Sequence, residues 1–147
     1  KKRKTACTRR RPSWSSCCKT EMERCQLHLE LLPETFAVCK VNDLAQVDWH
    51  QPYCFAGHTD TECSLVCREQ DVPENAIKIE RDWRCFRIQG MLEFSLVGIL
   101  ADLSAVLADA GIAIFAIFTY DTDHILVSAE QCDQAQQALR AAGYAIK

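Results

Sequence analysis

The sequence predicts an α+β protein built of two tandem βαββαβ modules, each an antiparallel sheet with its helices on one face. Three observations predict this. Trp83 to Ile146 runs strand, loop, helix, strand, turn, strand, helix, strand. Within that stretch the apolar spacing alternates between the strand and helix periods. The first half of the body repeats the order in reduced form, with shorter helical stretches.

Leu27, Leu29 and Leu31 alternate with His28 and Glu30, the pattern of a half-buried strand that Pro33 should break. Phe36–Val41 is a second strand. Asn42 or Asp43 then caps a short helical stretch, Leu44–Trp49. Tyr53–Ala56 and Glu62–Cys67 are further strands, and Ile77–Glu80 alternates briefly. In the second half Trp83–Ile88 is a strand. Ser95 can cap a helix whose apolar face is Ile99, Leu103, Val106, Leu107 and Ala110, with Gly111 as its stop. Ile112–Thr119 reads as a central strand and His124–Val127 as its partner across an Asp121-Thr122-Asp123 turn. Ser128 and Gln131 match a capping box. Ala135, Ala138, Leu139 and Ala142 face the sheet, and Tyr144–Ile146 closes it. The expected organisation is a basic, disordered extension over 1–24, a degenerate module over 25–73 and a complete one over 74–147.

Charge divides the chain in the same way. Residues 1–24 hold nine Lys and Arg against two Glu, and the remainder holds eight against eighteen acidic residues. The basic segment has no apolar periodicity and cannot repay ordering. A basic arm touching nucleic acid or an acidic surface is its functional alternative. The acidic body is a poor ligand for nucleic acid, which needs clustered cations. No run approaches the roughly 18 apolar residues of a membrane span. The ten cysteines are irregularly spaced and include Cys39 and Cys85 inside apolar strand patterns, so the thiols read as reduced and the protein as cytoplasmic. Cys63 and Cys67 would lie about 13 Å apart on a strand, and no zinc knuckle accompanies them. No metal, cofactor or catalytic constellation is expected. His124, at a strand start, reads as a structural histidine.

Four motifs carry a family resemblance: Leu29-Glu30-Leu31-Leu32-Pro33, Trp83-Arg84-Cys85-Phe86-Arg87-Ile88, Phe94-Ser95-Leu96-Val97-Gly98-Ile99-Leu100, and Ile117-Phe118-Thr119-Tyr120-Asp121-Thr122-Asp123-His124-Ile125-Leu126-Val127. On these, residues 27–147 resemble the small bacterial tandem-ACT proteins, whose ferredoxin-like modules are related to the cytosolic arginine sensors of animals, the CASTOR proteins. The resemblance implies amino-acid binding in a regulatory role, with no chemistry performed. It implies a pocket between modules near the loop before the first helix. There it places Gly98 at the start of that helix and Asp123 at the end of the strand–strand turn. Phe118 stands where the family carries a small Ser.

Elementary chemistry suits the same place to a zwitterion. The helix start Ser95-Leu96-Val97-Gly98-Ile99 offers backbone N–H groups and a positive dipole end to a carboxylate. Asp121 and Asp123 can accept hydrogen bonds from an ammonium. Each residue also has a plainer role: Ser95 as a helix cap, Gly98 as a close-packing position, Asp121 as a turn residue bonding its own backbone. The expected partners are a free amino acid or similar small zwitterion, a second copy of the chain in a homodimer, and a regulated protein. The alternatives are an interaction domain without a pocket, favoured by Phe118, and a small thiol-dependent enzyme.

Overall fold

The computed structural model describes residues 27–89 and 98–147 of the chain. Its elements are β1 (His28–Val41), β2 (Phe55–His58), β3 (Cys63–Arg68), β4 (Ala76–Gln89), α1 (Ile99–Asp109), β5 (Phe115–Phe118), β6 (Asp123–Ser128), α2 (Cys132–Ala141) and β7 (Ala145–Ile146). One sheet runs β2-β3-β1-β4-β6-β5, antiparallel throughout, and β7 adds to β1 in parallel. The fold is therefore a mixed α/β one, an antiparallel sheet carrying two helices.

The two long strands depart from the sequence reading. Leu27–Leu31 and Phe36–Val41 join into one 14-residue strand across Pro33. Pro33 is exposed, and the pairing of β1 with β4 shifts between Leu31 and Thr35. A proline without an N–H is tolerated where the ladder slips. Likewise the predicted strands at Ile77–Glu80 and Trp83–Ile88 are one 14-residue strand, β4. Asp82 absorbs the bend in a left-handed conformation (φ 61°), and its N–H donates to Glu69 Oε1 at 2.6 Å.

The predicted helix Leu44–Trp49 does not form, and the segment is a series of turns. Asp43 Oδ1 accepts from the Ala45 N–H at 2.9 Å, and Asp48 Oδ1 from the His50 N–H at 3.0 Å. Such short-range bonds offer the backbone an alternative to the helical ladder. β5 is shorter than predicted because Ile112 belongs to the helix end. Its N–H donates to the Leu107 carbonyl at 2.9 Å, and its side chain is buried. Gly111 takes φ 74° there, as a helix terminator does. At the other helix, Ser128 meets the Gln131 side chain at 3.5 Å across a 3₁₀ turn, and α2 starts one residue later.

Both helices cover one face of the second half. Leu103, Leu107, Ala135 and Leu139 pack on Leu29, Phe86, Ile88, Ile125 and Val127. Each large apolar side chain buried there contributes about 1.5–3 kcal/mol. Tyr144 donates to Asp102 Oδ2 at 2.7 Å and ties the last turn to α1. On the other face Leu32, Phe36 and Val66 meet Cys85 and Leu126. A third cluster, around Ala37, Cys39, Leu65 and Cys67, lies under Val47 and neighbouring loop residues.

Candidate functional site

The turn between β5 and β6 is closed by threonines. The Thr119 N–H donates to the Thr122 carbonyl at 3.1 Å, the Thr122 N–H donates to Thr119 Oγ1 at 3.3 Å, and the Thr119 hydroxyl also donates to the Thr122 carbonyl. Asp121, expected to serve as the turn's own bonding residue, is exposed at its tip instead.

Asp123 opens β6 directly opposite Phe118. It is half-buried, and burial pushes its carboxyl above the usual carboxylate range. Among the described residues no hydrogen bond or ion pair reaches that carboxyl. Burial without a partner costs free energy. Gly98 caps α1 with φ 91°, and a Cβ built on it would meet nothing within 4 Å. The glycine thus serves the left-handed turn, not close packing. The first helical bond runs from the Asp102 N–H to the Gly98 carbonyl at 3.0 Å, so the preceding N–H groups lack acceptors within the helix. The Ile99 side chain is committed to the core. Ser95, Leu96 and Val97 lie outside the described residues. β4 ends at Gln89, two residues past the Arg87–His124 pair, at the end of the sheet where Asp123 begins β6.

A second pocket, of about 380 Å³, lies where loop residues Trp49–Phe55 cover the β4–β6 ladder. Arg87, Thr119, Thr122 and His124 form its other wall. His124 is 5% exposed and packs against Phe55 at 5.0 Å and Tyr53 at 6.5 Å between ring centroids. Among the described residues its Nδ1 has no hydrogen-bond partner. Burial, and then the Arg87 charge, hold its imidazole below the usual histidine range. Arg87 Nε donates to Glu30 Oε2 at 3.0 Å and a second guanidinium nitrogen does the same, while Gln89 Nε2 donates at 2.6 Å. The Arg87 bond holds the Glu30 carboxyl below its usual range. Tyr53 sits at φ 60°, a conformation uncommon outside glycine and often found at binding sites. The sequence placed His124 in a structural role. It gave no sign of this wall, because the loop that builds it has no periodicity.

A larger cleft of about 620 Å³ separates the first-half sheet from β5. Phe55, Val66, Val38, Ile117, Phe115 and Phe118 supply its apolar walls, and Lys40, Lys78, Glu62 and Glu80 its charges. Phe118 is 60% exposed there.

Among the described residues, Cys54, Cys85 and Cys132 are poorly disposed for nucleophilic work. Burial pushes Cys54 and Cys132 up, and Cys85 up to about 12. Cys67 donates to Cys39, which lowers Cys39 and raises Cys67, and both are buried. A reactive cysteine needs an accessible thiolate.

Residues 78–141 match the ACT domain family. A protein of Agrobacterium tumefaciens has a similar structure, with TM-score 0.74 and 26% identity over 83% of this chain and 92% of that one. A Vibrio cholerae protein of unknown function gives 0.67 and 23%, over 84% and 94%. The ligand-free regulatory subunit of aspartate kinase from Thermus thermophilus gives 0.55 and 13%, over 78% and 95%. The latter two likenesses are of fold alone. No curated protein matches the sequence.

Proposed function

We propose that this chain is a regulatory module that binds a free amino acid or a similar small zwitterion and does not transform it. The observation that carries the reading is Asp123, a half-buried carboxyl with no protein partner among the described residues, in a domain of the ACT family. An ammonium placed against it would restore the interaction that burial removes. The ligand carboxylate would meet the N–H groups at the start of α1, from Ser95 to Ile99, with Asp121 at the rim. The fold shared with an aspartate kinase regulatory subunit supports a regulatory role. In this reading the first half is a second ACT-like module in which turns replace the helices. The protein is cytoplasmic, forms a homodimer, and passes the bound state to a protein partner. No helix among the described residues is long and apolar enough to cross a membrane.

A thermal-shift screen of the twenty amino acids tests this. A ligand at 100 times its dissociation constant adds about 2.7 kcal/mol of stability. The expected result is a shift with one chemical class, lost in Asp123→Asn. Silence across the panel at millimolar concentrations refutes the reading.

Phe118 favours a second reading, an interaction domain without a ligand. It is the cross-strand partner of Asp123, at the position where the resembled family carries Ser. If neither the native chain nor Phe118→Ser responds to the panel, this reading replaces the first.

A further inference from the structure

The first part of β4 is an open edge. β1 pairs along one side of β4 from Ala76 onward, but on the other side β6 reaches only Trp83. Residues 77 to 82 are all exposed. The strand spells Ala76-Ile77-Lys78-Ile79-Glu80-Arg81-Asp82, a β-prone run with two large apolar side chains in water, Ile77 at 53% and Ile79 at 37%. Neither Lys78 nor Glu80 makes an ion pair among the described residues. Edges of this kind are templates for another strand.

The side chains name the strand that fits. Ile79 lies opposite Cys39 on the loop-covered face, while Lys78, opposite Lys40, shares the cleft face with Glu80; the register shifts at Ile77. A two-fold axis perpendicular to the sheet preserves these faces in a second copy. Centred on Ile79, it sets Ile79 against the partner's Ile79 and Lys78 against the partner's Glu80, twice by symmetry. Moving the axis one residue either way sets Lys78 on the partner's Lys78, or Glu80 on the partner's Glu80. Opposite charges directly across a ladder stabilise it and like charges oppose it. Beyond this window Asp82 is closed, its N–H already held by Glu69.

We infer that the edge Ile77–Arg81 is a homodimer interface, an antiparallel pairing of β4 with β4 centred on Ile79. It does not depend on the ligand proposed above. Lys78 is also the residue that would protect a solvent-facing edge from pairing, so the two roles must be told apart by charge exchange.

The test uses sedimentation of the full chain and two variants, Lys78→Glu and Glu80→Lys. The native chain should sediment as a concentration-dependent dimer. Each variant alone faces itself with like charges, and its dimer dissociation constant should rise by about tenfold or more. An equimolar mixture of the two variants restores both opposite-charge pairs and should dimerise again. Melting curves of the variants should match the native monomer, since both side chains are exposed. A native chain that stays monomeric through the micromolar range overturns the inference. So do variants that dimerise as the native chain does, or a mixture that remains monomeric.

Discussion

Asp123 and His124 are adjacent in the chain, yet they point to opposite faces of one strand and respond to pH in opposite senses. Burial raises the Asp123 pKa, so the folded state holds this proton at a pH where the unfolded chain has released it. Its contribution to stability is present below the unfolded value and is lost as pH rises through the folded one. Asp123→Asn should therefore melt slightly higher than the native chain at neutral pH while losing the ligand response. A melt showing the substitution to be destabilising would contradict the uncompensated carboxyl. The same shift predicts that affinity for an ammonium ligand falls as pH drops through the raised pKa, measurable by titration at several pH values. For His124 the folded pKa is depressed. Stability is full above the unfolded value of about 6.5 and is lost as pH falls toward the folded pKa. His124→Phe should flatten that part of the stability profile, since a ring of similar shape continues to pack on Tyr53 and Phe55. An unchanged slope would show that other groups set it. A motif singled out Asp123 in the sequence, but its partial burial is set by the fold. The open space around Gly98 was not legible there, because only backbone angles separate a left-handed turn from close packing.

Secondary elements were legible in proportion to their periodicity. α1 and α2 carry long apolar stripes and small-residue stops, and they form close to where the pattern puts them. The loop after β1 carries Leu44 and Val47 at helical spacing, but Asp43 and Asp48 divert its backbone into local turns. Pro33 reads as a break in any local analysis. It is tolerated because a register shift in the pairing with β4, distant in sequence, accommodates it. The elements also differ in how much of their apolar content does packing work. Leu103, on the sheet-facing side of α1, is 1% exposed, and Ile77 on β4 is 53% exposed. Leu103→Ala should cost about 2–5 kcal/mol in denaturant unfolding. Ile77→Ala should stay within about 0.5 kcal/mol for the monomer. Similar losses at the two positions would mean that the strand edge is covered.

At the level of the whole molecule, β1 and β4 decide how the protein unfolds. The module boundary expected between residues 73 and 74 falls just before β4 starts. A boundary in the chain need not be one in the sheet. The start of β1 pairs with the end of β4, and the end of β1 pairs with the beginning of β4. β1 also supplies Leu29, with Leu27 just before it, to the core beneath the two helices. Among the described residues β7 pairs with β1 alone: Lys147 N donates to the Leu29 carbonyl at 2.9 Å and Leu31 N to the Lys147 carbonyl at 3.1 Å. A fragment of residues 74–147 keeps both helices but loses the strand between β4 and β7. Phe86 and Ile88 lose their apolar cover and β7 loses its ladder. Local sequence could not reveal this, because the pairing joins residues 35 to 61 positions apart. The full chain should therefore unfold in one transition, with tryptophan fluorescence and far-ultraviolet dichroism changing together. The fragment should show no cooperative melt of its own. If the fragment melts cooperatively, or the full chain shows two separated transitions, the halves are independent and β1 is dispensable to the second.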